Sequence, residues 1–312
     1  MCGIVGFLDK QGNRHAPVGQ VLLKMLIALG RRGPDSAGVA LYGDHRENVL
    51  VLRIKLGAQG PHRAAGAQIT KAVRDLAPVI EESAQGEYLR LVVEYREDPT
   101  ILERAIEAAG AGVEVVSMGE RLEVVKQVGS PENLESTYGI SSFVGTHGIG
   151  HTRMSTESRV DLSHSQPFWA HGLPDVAVAH NGHITNYHKL RRRYEQQGCR
   201  FYTENDSEII GLYLAQQLSH GTSFAAALRA SLHDFDGSFS YLATTADSLG
   251  FVKDPFAFKP LVVAETPSYV ALATEEIALQ TALGEDFPVR EPGAKQVQTW
   301  QVEKPAAAVT GR

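Results

Sequence analysis

A cysteine directly behind the initiator methionine, in the run Met1-Cys2-Gly3-Ile4-Val5-Gly6-Phe7, constrains this chain more than any other feature. Methionine is readily trimmed when the next side chain is small, and Cys2 would then carry a thiol and a free α-amine together. A free thiol titrates near ~8.5 and an α-amine near ~8, so at neutral pH the amine can accept the proton that the thiol must lose. One residue then supplies both nucleophile and general base, the pairing that covalent catalysis requires. The plainer reading makes Cys2 a small apolar residue opening a buried strand, Gly3 to Leu8. Position alone does not choose between the two.

Composition removes several classes of function. With 312 residues, 43% hydrophobic and 21% charged, the chain matches an ordinary globular protein. A formal charge of −6 argues against a nucleic-acid or anionic-membrane surface, and the basic run Arg191-Arg192-Arg193 reads as a solvated helix face. No apolar run reaches the length of a membrane span, and no basic n-region or apolar h-region follows Met1-Cys2, so cytoplasm is the expected location. Cys2 and Cys199 are the only cysteines. They make no disulfide framework and no CxxC pair, which suggests a reducing compartment and at most one reactive thiol. The histidines show no metal-ligand spacing, so no metal is expected.

Along the chain, Val18 to Leu29 is apolar nearly all round and predicts a buried helix. Arg31 to Gly38 is a turn-forming run leading into a strand, Val39 to Tyr42, with Asn48 to Leu56 as its expected antiparallel partner. From about 57 to 138 the texture changes to a small α/β unit, read as an insertion in one domain of residues 1–312. In it Ile69 to Glu82 has helical spacing, Glu87 to Tyr95 reads as a strand, Pro99 to Ala109 as a helix, and Val113 to Val116 with Arg121 to Val128 as a pair of strands. Glycine-rich β pattern returns at Gly148 to Thr156. A strand Val176 to Ala179 runs into His180-Asn181-Gly182-His183, and helices are expected from Asn186, from Asn205-Asp206-Ser207-Glu208 and over Ser223 to His233. Strands Ser238 to Thr244, Gly250 to Lys253, Leu261 to Ala264 and Tyr269 to Ala273, then a helix Glu275 to Leu283, complete the pattern, with a frayed tail after Pro305.

Attack by Cys2 on a carboxamide needs preorganised donors for the oxyanion, and Asn181-Gly182 offers a side-chain amide and a backbone N–H from one turn. Arg153 could present a guanidinium fork to a substrate α-carboxylate, and Asp206 a carboxylate to an α-ammonium. Taken singly, each has a plainer reading: a turn, an ion-pair partner, a helix cap.

Their order is more informative. Met-Cys-Gly-Ile-Val-Gly at 1 to 6, Arg-Gly-Pro-Asp-Ser-Ala-Gly at 32 to 38, His-Thr-Arg-x-Ser-Thr at 151 to 156, His-Asn-Gly at 180 to 182 and Asp-Ser-Glu at 206 to 208 resemble the ordered motifs of class II glutamine amidotransferases. Lys253 to Leu261 and Ala273-Thr274-Glu275-Glu276 are similar to that domain's closing segment. The resemblance implies an α+β N-terminal-nucleophile hydrolase fold: an αββα sandwich of two antiparallel sheets, here with the inserted α/β unit. It implies Cys2 as nucleophile, with Asn181 and Gly182 as the oxyanion hole. Arg153 would hold the α-carboxylate and Asp206 the α-ammonium; Arg32, Gly33 and Asp35 would shape the pocket wall, with Thr152 and His180 among the substrate contacts. Two departures stand out: Met154 where an aromatic residue is common, and Glu157-Ser158 where glycine is usual.

No phosphoribosyl-binding, ATP-pyrophosphatase or sugar-isomerase region is present, and no GxGxxG or P-loop. The pattern is therefore similar to the freestanding amidotransferase-like subunit of split glutamate-synthase-like complexes such as N-methylglutamate synthase. That likeness implies no cofactor in this chain, and FMN, with an iron–sulfur cluster as a further candidate, in partner subunits: a glutamate-synthase-like FMN subunit and a β-helix-domain subunit. Glutamine is the expected substrate, a γ-glutamyl amide such as γ-glutamylmethylamide the alternative, and a non-catalytic assembly subunit the alternative of another class.

Overall fold

The computed structural model describes residues 2–57, 62–155, 159–284 and 287–303. Strand β1 (Gly3–Asp9) is buried on both faces, as its unbroken apolar run allows. Helix α1 (Val18–Ala28) and β2 (Ser36–Tyr42) follow. Next come β3 (Val49–Leu56), α2 (His62–Arg74), β4 (Val79–Gln85), β5 (Tyr88–Glu94), α3 (Pro99–Ala108) and β6 (Val113–Gly119). The chain returns through β7 (Leu122–Val128), α4 (Glu132–Tyr138), β8 (His147–Arg153), β9 (Phe168–Trp169) and β10 (Ala177–Ile184). Helices α5 (Tyr187–Gln196), α6 (Ser207–Ser219) and α7 (Phe224–Asp234) precede β11 (Gly237–Thr244), β12 (Ser248–Lys253), β13 (Val262–Glu265) and β14 (Tyr269–Ala273). Helix α8 (Glu276–Leu283), β15 (Val289–Arg290) and β16 (Val297–Gln301) end the described chain.

Among the described residues the strands form three antiparallel sheets, ordered β15-β13-β14-β1-β8-β2-β7, β16-β12-β11-β10-β9 and β4-β5-β3-β6. The first two lie face to face, β1 and β8 packing against β10, β11 and β12. Helix α1, flanked by α4 and α8, covers the outer face of the first sheet, and α6 and α7 cover the second. This is the expected αββα sandwich. Apolar side chains on both faces of each sheet follow from it, since every face is covered: Leu22, Met25 and Leu26 of α1 are fully buried on one side of the first sheet, Leu242 and Phe251 on the other.

Three local expectations are corrected. Val49–Leu56 pairs with β5 and β6 rather than with β2, whose neighbours are β7 and β8. The short connection favours a hairpin, but β2 is buried along its whole length in the first sheet, and β7 meets it in seven matched pairs. The helical spacing at Ile69 to Glu82 spans a boundary: α2 ends at Arg74, and 79–85 is a strand. Pro78 cannot donate to a continuing helix, and its carbonyl instead accepts from Glu94 N at 3.0 Å. Residues 113–116 and 121–128 are not a strand pair, because β6 and β7 belong to different sheets. The Asp175 carboxylate secures the crossover, accepting from the backbone N–H groups of Glu120, Arg121 and Leu122, each at 2.9 Å. The third sheet thus spans 49–119, beginning before 57, while 122–138 returns to the main sheet and α1. The tail after Pro305 lies outside the described residues.

His147 and His151 on β8 are both 0% exposed, and burial holds both down to about 3. Unfolded, each titrates near ~6.5. Between those values the unfolded chain binds more protons, so stability is full above about pH 6.5 and is lost progressively as pH falls toward 3. Urea midpoints should fall from pH 7 to pH 4.5. His147→Gln, which can keep a hydrogen bond to Thr245 O, should reduce the slope by about 1.4 kcal/mol per pH unit; an unchanged slope would contradict the assignment.

Candidate active site

Strand alternation places the thiol. A Cβ on Gly6 would approach Leu242 of the second sheet to 3.1 Å, so Gly6 faces inward, and Ile4 and Cys2 share that face. On the second sheet Leu242 pairs with Ala179 in the inward-facing core, which puts Asn181 on the inner face as well. His151 fixes the level at which the sheets meet, its Nε2 donating to His180 O at 3.1 Å. One step toward the open end stand Cys2 and Arg153 on one sheet and Asn181 and Gly182 on the other.

A cleft of about 520 Å³ opens there, lined by Cys2, Arg153, His180, Gly182 and Asp206 among others. The Cys2 thiol points at the Met154 carbonyl, 3.9 Å away. Asn181 is 5% exposed, and its Nδ2 is buried with no hydrogen-bond partner among the described residues, a donor held ready for an acceptor. Gly182 has φ +147, and a Cβ would lie 2.3 Å from Ser238 O, so only glycine fits. Burial pulls the Arg153 guanidinium down, while Cys2, Asp161 and Asp35 oppose that pull. Arg153 also donates to Arg159 O at 2.8 Å.

Asp206 occupies the N-cap position of α6 without capping it. Asn205 Oδ1 accepts from Ser207 N at 3.1 Å instead, and Asp206 Oδ2 accepts from Ile184 N at 2.8 Å. The carboxylate is thereby turned into the cleft, where the helix N-terminus favours its charge. Its other oxygen is 3.6 Å from His180 Nδ1. Burial lowers the His180 pKa despite Asp206, so the ring is neutral at pH 7.

Arg32, Gly33, Asp35 and Thr152 do not line the cleft; they build the strand end behind it. Arg32 Nε donates to Cys2 O at 3.3 Å and its guanidinium pairs with Glu275. Asp35 N donates to Arg153 O at 3.0 Å, and Ser155 N to Asp35 Oδ2 at 2.7 Å. The segment 32–35 is thus a strap over the end of β8. Thr152, one residue off the inner face, lies against Gly3 on the side of α1. Of the motif around Arg153, Thr156 and the Glu157-Ser158 departure lie outside the described residues.

Sequence reasoning missed Gln166, Ser207 and Glu208. Gln166 grips His180 through both backbone groups, accepting from its N–H at 2.7 Å and donating to its carbonyl at 3.2 Å, and also donates to Ser207 Oγ at 3.0 Å. A lone glutamine in a loop carries no sequence signal for this. Glu208, part of a quoted motif but given no role, accepts from the N–H groups of Tyr202 and Thr203 at 2.8 and 3.0 Å.

The strap requires glycine at 33, where a Cβ would fall 2.5 Å from the Thr152 carbonyl carbon and 2.6 Å from Arg153 N. Gly33→Ala should lower stability by about 1–3 kcal/mol in denaturant titration. Gly293→Ala, with nothing within 4 Å, should be near neutral, and equal effects would remove the strap's special role.

The glutamine amidotransferase domain family matches residues 151–281. The glutamine amidotransferase-like protein GlxB of Rhizobium meliloti is 35% identical over 311 residues, 98% of this chain and 100% of that protein. A putative glutamine amidotransferase of Methanothermobacter thermautotrophicus is 37% identical over 292 residues, 91% and 94% of the two chains. Among solved structures, an allosteric regulatory enzyme of purine biosynthesis shares the fold with a TM-score of 0.61 at 20% identity. The match covers 96% of this chain but 46% of that enzyme. With the inward-facing Cys2 at the head of an αββα sandwich, the chain belongs to the class II glutamine amidotransferases, enzymes of the N-terminal-nucleophile hydrolase fold.

Proposed function

We propose that this chain is a glutaminase subunit whose nucleophile is Cys2, freed of Met1, and whose ammonia passes to a glutamate-synthase-like partner. The observation that carries the reading is a cleft lined by Cys2, Gly182, a cation, Arg153, and an anion, Asp206, with Asn181, not itself in the lining, on the inner face beside it and its Nδ2 without a partner among the described residues. The Cys2 amine takes the thiol proton, and sulfur attacks the glutamine δ-carbon. The oxyanion is held by Asn181 Nδ2 and the Gly182 N–H, Arg153 holds the α-carboxylate and Asp206 the α-ammonium. Collapse breaks the C–N bond, the amine returns its proton to the leaving ammonia, and water hydrolyses the thioester to glutamate.

The partner on this reading is a flavin-dependent synthase subunit bearing FMN, with an iron–sulfur cluster as a further candidate, together with a β-helix-domain subunit, as in N-methylglutamate synthase. It rests on the likeness of the motif order to that family of subunits; the Rhizobium relative, aligned over its whole length, supports the amidotransferase part alone. A second reading, hydrolysis of γ-glutamylmethylamide, is left open by the Met154 departure, a cleft-lining side chain that is 46% exposed. Comparing both amides in the assembled complex decides between them; a large preference for glutamine removes the second.

Intact mass after exposure to a diazoketone analogue of glutamine, with and without the synthase subunit, tests the main reading. The expected result is one adduct on a chain lacking Met1, abolished by Cys2→Ala; no adduct in either condition overturns it. Asn181→Asp should lower kcat by about 10²–10³ with little change in KM, and wild-type turnover would remove Asn181 from the oxyanion hole.

A further inference from the structure

A second cluster of buried ionisable groups lies outside the cleft, where α3 of the third-sheet unit meets the segment leading to Asp206. Glu103 and Glu107 are one helical turn apart, so both carboxylates leave the same face of α3. The Tyr202 hydroxyl is 2.8 Å from Glu107 Oε2 and 3.1 Å from Glu103 Oε1. Arg200 donates to Glu107 at 2.9 Å, and its guanidinium lies 4.8 Å from the Tyr202 ring centre. His171 Nδ1 is 2.7 Å from Glu103 Oε1, and its ring stacks on Tyr202 with centroids 4.1 Å apart. Two neighbouring buried carboxylates are costly to maintain, and the cleft chemistry does not use them.

The hold on Tyr202 passes directly to the cleft. Tyr202 and Thr203 donate their N–H groups to Glu208, Arg191 donates to Thr203 O at 2.7 Å, and Asn205 N donates to Thr203 Oγ1 at 3.0 Å. Asp206 is the next residue. The loop carrying it is therefore held by its own helix through Glu208, by α5 through Arg191, and by the third-sheet unit through Tyr202.

We propose that Tyr202 is a positioning residue for Asp206, and that the third-sheet unit, acting through Glu103 and Glu107, sets how tightly the cleft reads the α-ammonium of its substrate. The proposal rests on Asp206 as the ammonium site in the reading above. It assigns a role in substrate recognition to a helix that contributes no residue to the cleft lining. It also confines that role to amides bearing an α-ammonium.

The test is Tyr202→Phe in the full chain, with any partner its activity requires, assayed on glutamine and on 4-carbamoylbutanoate, which lacks the α-amine. One of the three holds on the Asp206 loop is lost, so, if the full energy of that hydrogen bond is felt at Asp206, KM for glutamine should rise by up to about tenfold. Its kcat should change little, and KM for the des-amino amide should not move. Glu107→Gln, which keeps an acceptor but removes the charge, should shift KM in the same direction by less, and it carries the test if Tyr202→Phe does not fold. Equal losses on both amides, or no loss on glutamine, would overturn the proposal while leaving the glutaminase reading intact. An unaltered chain that hydrolyses neither amide would overturn both.

Discussion

Strand β1 is paired on both edges, with β8 and β14, and covered on both faces by the sandwich and by α1. That leaves Cys2 very little freedom. Thr274 tightens the hold, its Oγ1 accepting from Ile4 N at 2.8 Å and its N–H donating to Ile4 O at 2.9 Å. A nucleophile at a chain terminus would ordinarily sit on the most mobile part of a domain. Here Cys2 directly precedes Gly3, the first residue of a central strand, so a rigid sheet supplies its position. The strap 32–35 does the same for Arg153, binding the backbone of β8 just where the pairing ends.

The cleft follows from the packing of two sheets that both end there. Buried polar groups gather at that seam because the apolar fill stops: His151, Gln166, His180 and Ser207 bond one another and the backbone, while Asn181 Nδ2 has no partner among the described residues. An unmade buried hydrogen bond costs about 1–3 kcal/mol. A site that leaves one open in the resting state gains most when charge develops beside it. Arg153 and Asp206 bring opposite charges to one cleft, each with a backbone anchor of its own, Arg159 O and Ile184 N.

The third sheet is tied to the sandwich at several places, among them Arg53 and Arg90 on Glu123 of β7 and two of different character. Asp175 secures the crossover from β6 to β7, with its carboxylate on three consecutive N–H groups. The cluster of Glu103, Glu107, His171 and Tyr202 secures the other side, beside the loop of Asp206. These anchors make the unit mechanically continuous with one wall of the cleft.

The sequence by itself determined the class of fold and the family, and nominated the chemistry-bearing residues. Cys2 behind Met1, Asn181-Gly182, Arg153 and Asp206 were legible because each needs a particular functional group, and Gly33 and Gly182 because no Cβ fits there. Helices such as Val18–Ala28 were legible because their burial leaves an unbroken apolar run. Only the tertiary structure decided which strands pair: Val49–Leu56 leaves its neighbour in sequence for β5 and β6, and 113–119 and 122–128 part company within three residues. It also decided which motif residues face the cleft and which, like Arg32, Asp35 and Thr152, stand behind it. Gln166 and Tyr202 acquire their roles wholly in this way. The physical reason is range: side-chain chemistry and periodicity are written locally, whereas pairing and buried polar networks depend on groups distant in the chain that meet only once the core has closed.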